Sequence, residues 1–460
     1  TKVTELWGER VTVKDYAMRW ENLSKSTQDS THELAFDAAD RRFVWVTGMM
    51  DDQLAKVSVA DPTRQQIWLF ESGSQPHTVR FDAHAPRPRL WVGLEQKGLI
   101  VQIDAEAVAR KCAAAFHPTE GPVPAAYALD PTSDFAQVFD VRIAAHPPSL
   151  PAALNTHPHG FCFDKDESHV WFTGKLTNTV GRVGIDPASE DYNVVQHFEL
   201  PTLGAVPIYL ALGPDDNVWG TCLANNNIFR VTTGPHPQVT EIAITPSHEN
   251  RRPIAIKPGP RRADGTLDRH MWFSCEHGHS VARVDVDKVQ HILDKEAAKQ
   301  TKERPRCTCS KVFYSPNAAQ RAVVEFAVPM PKPNMLLGGL AFDDAGNLWT
   351  QSYVDSTHPT PKGPDYIVKV DKDILQARKT KDDGTGKLTN VGFKYFEVPT
   401  RDTILHRIIL GPDGHLWFTE LGADRLGTLS IEAVTKAPAG SEEGKGECGT
   451  ASLMDDEIAD

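Results

Sequence analysis

Seven times along the chain, a short apolar stretch runs into a tight polar turn and returns as a second apolar stretch that opens on an aliphatic residue and Trp. The clearest copies are Leu410-Gly411-Pro412-Asp413-Gly414-His415-Leu416-Trp417, Leu212-Gly213-Pro214-Asp215-Asp216-Asn217-Val218-Trp219 and Phe342-Asp343-Asp344-Ala345-Gly346-Asn347-Leu348-Trp349. Asp, Asn and Gly pairs between apolar runs are a strong short-range hairpin signal. After each Trp a polar turn leads into a stretch of alternating apolar and polar residues, as at 179–185, 228–231, 281–285 and 367–371. Alternation marks half-buried strands. A fourth stretch ends on Leu-Pro or Val-Pro, at 197–201, 324–329 and 395–399, with weaker copies near 67–71, 138–143 and 240–244. Proline suits the end of an edge strand, where ladder donors are dispensable.

Four strands repeated seven times predict an all-β chain folded as a seven-bladed β-propeller. The last repeat runs out near 426–429 without an outer strand of its own, and the stretch 16–23 has the missing character, so an N-terminal strand is expected to close the ring. The spacing of Trp45, Trp91, Trp171, Trp219, Trp272, Trp349 and Trp417 is 46 to 53 residues where uninterrupted and 80, 77 and 68 elsewhere. The long intervals place insertions near 106–154, 287–321 and 357–390. The first is expected to start helically at 105–115, and the second to hold a helix over 288–299. Residues 1–436 then form one propeller domain, and 437–460 read as an acidic disordered tail.

Composition narrows the function. The 460 residues are 40% hydrophobic and 24% charged, with a formal charge of −12. That balance disfavours a nucleic-acid partner. No run reaches the roughly 18 apolar residues of a membrane span, and no basic region precedes an apolar one at the N-terminus. Seven cysteines in a chain this long do not suggest a disulfide scaffold, and Cys307 and Cys309 lack the companions of a zinc site. Free thiols in the cytoplasm are the expectation.

A propeller gathers equivalent residues around its axis. Five residues before each turn stand His32, His77, His159, Ile208, Arg252, Gly338 and His406. Four imidazoles from contiguous blades at one strand position are far more than chance distributes among 18 histidines. They are the candidate catalytic or metal-ligating set, because neutral imidazole is both a base and a good ligand. The second strand of each blade returns to the same mouth, which brings in Glu95, Lys175, Glu276, Tyr353 and Glu420 three or four residues past each Trp. A carboxylate there can orient an imidazole or join it on a metal. No G-x-S-x-G, H-E-x-x-H, G-x-G-x-x-G or phosphate-loop motif is present.

The motifs Gly-Pro-Asp-Gly-x-Leu-Trp-Phe-Thr-Glu at 411–420 and Asn-x-x-Gly-Arg-Val at 178–183 resemble those of the virginiamycin B lyases, or streptogramin B lyases. These are seven-bladed propellers that open the ester ring of a cyclic depsipeptide antibiotic by elimination, with Mg²⁺. Gln75-Pro76-His77 looks like one catalytic segment of that family, and His157-Pro158-His159-Gly160-Phe161-Cys162-Phe163-Asp164 like the other. The resemblance implies His159 as general acid and His77 as its neighbour on the substrate. Two family carboxylates that contact the metal are His157 and Lys175 here, and Glu95 in the preceding blade is the candidate substitute.

These readings converge on an enzyme that cleaves a C–O bond of a small lactone or cyclic ester, by elimination or hydrolysis. The catalytic candidates are His159, His77, His406, His32, Glu95 and Arg252. Gln75, His157, Lys175, Tyr353, Glu276 and Glu420 are assigned to substrate. A divalent metal is expected at His32, His77, His159 and His406, with Mg²⁺ implied only by the resemblance. The alternatives are a four-histidine iron centre of the oxygenase type and a propeller that binds partners without catalysis. The chain is expected to act as a monomer or homo-oligomer, away from membranes.

Overall fold

A computed structural model of the chain describes residues 1–6, 9–20, 29–83, 87–104, 127–144, 153–244, 250–262, 264–303, 315–332, 334–355, 357, 363–378 and 391–433. The expected helical start at 105–115, residues 358–362 and 379–390 of the third insertion and the tail lie outside the described residues.

Seven antiparallel sheets form a seven-bladed propeller. The innermost strands are Thr31–Phe36, Pro76–Phe81, Pro158–Phe163, Pro207–Leu212, Pro253–Pro258, Met335–Phe342 and Leu405–Leu410, one to each of blades one to seven. Each packs beside the innermost strand of the next blade, so together they line the axis. The Trp strands come second in each sheet, and their indoles are buried, six of the seven among the largest fully buried side chains. Each buried indole N–H needs an acceptor. In six blades the Asp of the preceding turn supplies it: Asp37, Asp82, Asp215, Asp268, Asp343 and Asp413 accept from their Trp at 2.8–3.3 Å. Blade three departs from this. There Asp164 accepts from Ser168 and pairs with His169, and the Trp171 N–H has no partner. The Asp-turn-Trp pattern of the sequence is thus a packing device that ties the turn to the blade core.

The ring closes through the N-terminus, with two corrections to the sequence reading. The closing strand is Glu9–Ala17, pairing antiparallel with Arg425–Ala433, so of the expected stretch 16–23 only Tyr16 and Ala17 take part, and 21–23 lie outside the described residues. A second N-terminal strand, Lys2–Leu6, then lies outside it, so blade seven has five strands. Met18 and Trp20, which gave 16–23 its apolar character, are core residues instead, and the Trp20 indole donates to Thr31 Oγ1 at 2.9 Å. Blade one also has five strands, because Tyr127–Ala128 of the first insertion adds a short parallel strand outside Gln65–Leu69. The second insertion carries a helix, α1 (Val286–Glu303), longer at both ends than 288–299. Asp285 accepts from the Lys288 N–H at its start, and Val286, Val289, Ile292 and Leu293 recur at helical spacing to join the core beside blade five.

Every innermost strand breaks register once, near its start. A bulge lets two successive residues escape strict alternation. In blade one the bulge lies between Thr31 and Leu34. His32 consequently meets its neighbouring imidazoles while Glu33, the very next residue, meets Arg80 and Arg407.

Candidate functional site

The four histidines of the sequence analysis converge. Ring centroids of His32 and His77 are 3.8 Å apart, those of His77 and His159 3.8 Å, and those of His32 and His406 4.1 Å. His32, His77 and His159 are buried, with His159 8% exposed, and His406 is half-buried. Burial disfavours the charged ring. It holds His406 at about 4 and His159 at about 3, with Lys175 and Arg407 reinforcing the effect on His159. Burial and the neighbouring rings hold His32 and His77 well below the usual imidazole range. At neutral pH the layer consists of uncharged imidazoles.

Hydrogen bonds fix which nitrogen is free on two of them. Thr78 Oγ1 donates to the His159 carbonyl at 2.7 Å, so the 3.3 Å contact with His77 Nδ1 requires that nitrogen to be the donor. His159 Nδ1 donates to the Ile208 carbonyl at 3.0 Å. Both rings therefore keep the Nε2 lone pair. Gly160 permits the second contact, since a Cβ there would stand 2.5 Å from the Ile208 oxygen.

What holds the layer is a threonine two residues after Trp. Thr47 Oγ1 donates to the His77 carbonyl at 2.9 Å and Thr419 Oγ1 to the His32 carbonyl at 3.0 Å. Each also accepts from the backbone within its own bulge, at Glu33 and Arg407, at 3.0 Å. Thr173 and Thr221 make the corresponding inter-blade bonds to Ile208 and Ile254. This positioning role was missed in the sequence, although Trp-x-Thr was visible at 45–47, 171–173, 219–221 and 417–419.

At the rim, the structure brings Glu95, His157 and Lys175 together. Glu95 Oε1 lies 3.1 Å from Lys175 Nζ and 3.5 Å from His157 Nδ1. Burial opposes its charge, but His77, His157, His159 and Lys175 outweigh burial and hold the carboxyl well below its usual range. Blades five and six carry a second group: Arg252 reaches Glu276 at 2.8 Å, and the Tyr353 hydroxyl donates to the same carboxylate at 2.5 Å. Gln75 sits on the rim loop with φ +48°, and its carbonyl accepts from the Glu95 N–H.

Two placements differ from the sequence reading. Arg252 is not the equivalent of the histidines. Pro253 pairs with Cys275 as Pro76 pairs with Leu94, so Ile254 takes the histidine position and Arg252 falls in line with Gln75 and His157. All three adopt φ near +50°. Glu420 is not at the mouth. It is fully buried, both carboxyl oxygens lack partners, and burial beside Asp15 and Asp365 pushes its pKa well above the usual value.

The donor set decides what ion could be held. His32, Glu33 and His77 each bring a ligand atom within 4.8 Å of the others, and His32 Nδ1 has no hydrogen-bond partner. His159 and His406 are not part of that group. Glu33, which the sequence reading passed over, already bridges Arg80 at 2.9 Å and Arg407 at 3.0 Å, and these cations hold its pKa at about 2 against the effect of burial. Two imidazoles and one carboxylate suit an imidazole-preferring metal; Mg²⁺ demands oxygen ligands. At the rim, among the described residues, the carboxylate beside His77 and His159 is Glu95, already held by Lys175. The residues present do not fit Mg²⁺.

The class of molecule is therefore a seven-bladed propeller with a layer of neutral imidazoles across its channel. No protein-family model and no curated protein matches the chain. Similar solved structures include a streptogramin B lyase, with a TM-score of 0.56 and 15% identity over 93% of this chain and 100% of that one. The virginiamycin B lyase of Staphylococcus aureus gives 0.55 and 15% over 91% and 99%. A Kuenenia stuttgartiensis hydrazine synthase gives 0.51 and 11% over 90% and 99%. At these identities the likeness is one of fold, and by fold the chain resembles a lyase.

Proposed function

We propose that the protein is an enzyme that cleaves a C–O bond of a lactone or cyclic ester at the histidine layer. The observation that carries this reading is the pair His77 and His159: two neutral imidazoles in contact, each with Nδ1–H anchored and Nε2 free, beside the Glu95–Lys175 ion pair. A neutral imidazole with an anchored N–H is ready to accept a proton at the other nitrogen. In elimination, His159 Nε2 takes a carbon-bound proton, the C–O bond breaks toward oxygen, a carbon–carbon double bond forms, and the ring opens to a carboxylate. In hydrolysis, the same nitrogen takes a proton from water as it adds to the carbonyl, and the proton returns to the leaving oxygen. Lys175, 3.1 Å from Glu95, would stabilise the developing negative charge. Arg252, Glu276 and Tyr353 would hold the rest of the substrate on the opposite arc.

The test is incubation of the full chain with a panel of lactones and cyclic depsipeptides, followed by mass spectrometry. A product heavier by one water indicates hydrolysis. An isobaric product with a new double bond indicates elimination. No turnover of any member, or full turnover by His159→Ala, removes the reading.

A second reading is an imidazole-preferring transition metal at His32, Glu33 and His77, favoured by the unpartnered His32 Nδ1. Elemental analysis of the purified chain and of His32→Ala separates it from the first.

A further inference from the structure

Past the histidine layer along the innermost strands lies a cavity of ≈ 340 Å³ lined by all seven blades. Its walls are mostly apolar, with Leu34, Leu210, Ile256, Leu340 and Ile408 among them. Its polar lining is lopsided. Arg80, Lys257 and Arg407 stand against one carboxylate, Glu33. Tyr209 and Cys162 complete the titratable groups, and burial pushes the Cys162 thiol up to about 12, so it carries no charge.

Glu33 is already shared between Arg80 and Arg407. Counting donors shows what is left over. Arg407 places Nε on Glu33 and Nη1 on the His406 carbonyl, and its Nη2 is buried without a partner. The Tyr209 hydroxyl, beneath the Arg407 guanidinium at 4.1 Å from its ring, is likewise buried and unpartnered. Lys257 Nζ has a single contact, 3.4 Å from the Ile408 carbonyl. Buried donors without acceptors are costly, and a cavity with surplus positive charge and convergent donors is suited to an anion. The apolar walls ask more of it. A bare inorganic oxyanion would leave them unmatched, whereas a carboxylate with a hydrocarbon body satisfies both surfaces.

We propose that this axial cavity binds a small aliphatic carboxylate, its head group held by Lys257, Arg407 Nη2 and the Tyr209 hydroxyl and its hydrocarbon against the surrounding Leu and Ile side chains. The site adjoins the imidazole layer, since Arg407 follows His406 and the Tyr209 ring lies 5.4 Å from that of His159, but it does not rest on the lactone reading: binding stands or falls whether or not any lactone is opened. It has a pH signature. Burial and the Arg80 charge lower the Lys257 ammonium to about 8, so the cation is present at pH 7 and fades above pH 8.

The experiment is isothermal titration of the full chain with hexanoate, hexanol and inorganic phosphate at constant ionic strength. Hexanoate is expected to bind saturably at one site, hexanol and phosphate at least tenfold more weakly. Lys257→Met is expected to lose at least tenfold in hexanoate affinity, while Lys257→Arg stays within a few-fold of the parent, and affinity falls between pH 7 and 9. Phosphate binding as tightly as hexanoate, hexanol binding as tightly, unchanged affinity in a folded Lys257→Met, or no saturable binding would each overturn the proposal. Should Lys257→Met fail to fold, the three-ligand comparison and the pH series on the parent chain decide it alone.

Discussion

Blades seven, one, two and three differ from blades four, five and six at one strand position. On the first arc that position holds His406, His32, His77 and His159; on the second it holds Ile208, Ile254 and Gly338. Nearly everything around the position is shared. Apart from blade three, the blades of both arcs bury a Trp whose N–H is tied to a turn Asp, and on both arcs threonines after the Trp hold the next blade's backbone. The framework is therefore indifferent to what stands on the axis. The Trp strands carry the packing, which leaves the start of each innermost strand free to vary. The rim repeats the contrast, with Glu95 and Lys175 beside the imidazoles and Arg252, Glu276 and Tyr353 on the opposite side.

If the arcs share a frame and differ in chemistry, matched substitutions should separate the two. The largest effect is expected from His159→Ala, which should lower kcat for lactone opening by ~10²–10⁴-fold, the usual worth of a positioned base. Ile208→Ala, at the matching place in blade four, should change kcat by no more than about threefold. A comparable loss in both would erase the distinction. Because His159 is held at about 3, the rate should stay level as pH drops from 8 to 5, where an ordinary imidazole would titrate.

Stability should behave in the opposite way. Trp91→Ala and Trp219→Ala, one on each arc, are each expected to cost ~3–5 kcal/mol in denaturant unfolding, since both indoles are fully buried. A markedly cheaper loss on either arc would mean the frame is not common to both.

Glu420 tests a place where the frame is imperfect. Blade two has Leu94 at the same position. The folded-state pKa of Glu420 is raised, so the folded chain retains a proton that the unfolded chain gives up, and stability is lost as pH rises above the ordinary carboxylic range. Glu420→Leu should therefore stabilise the protein by ~1–3 kcal/mol at pH 8, removing two buried oxygens without partners, with a smaller gain at pH 4. Equal gains at both pH values would contradict a neutral buried acid.

The smallest effects are expected from the threonines. Thr47→Val and Thr221→Val should each cost ~1 kcal/mol for a lost inter-blade hydrogen bond. Only Thr47→Val, whose partner is the His77 carbonyl, should also lower kcat. A fall in kcat for both would make the bond a matter of general rigidity.

Repetition is what the linear chain determined by itself. The Trp, the turn Asp and the alternating third strand recur because each blade solves the same burial problem, so blade number, closure through the N-terminus and the histidine position could be read from spacing alone. Tertiary structure decided whatever depends on register. Arg252 slid by two residues because only the ladder with Cys275 fixes its place. Glu33 entered the channel through a bulge that strict alternation hides, and Glu420 was sealed inside although it stands beside the rim in sequence. The closing strand, Glu9–Ala17, ends within the expected stretch, because Met18 and Trp20 found a core to fill. A side chain's type travels with the sequence, but its surroundings, and with them its charge state and reach, come from segments hundreds of residues away, as when Arg407 meets Glu33.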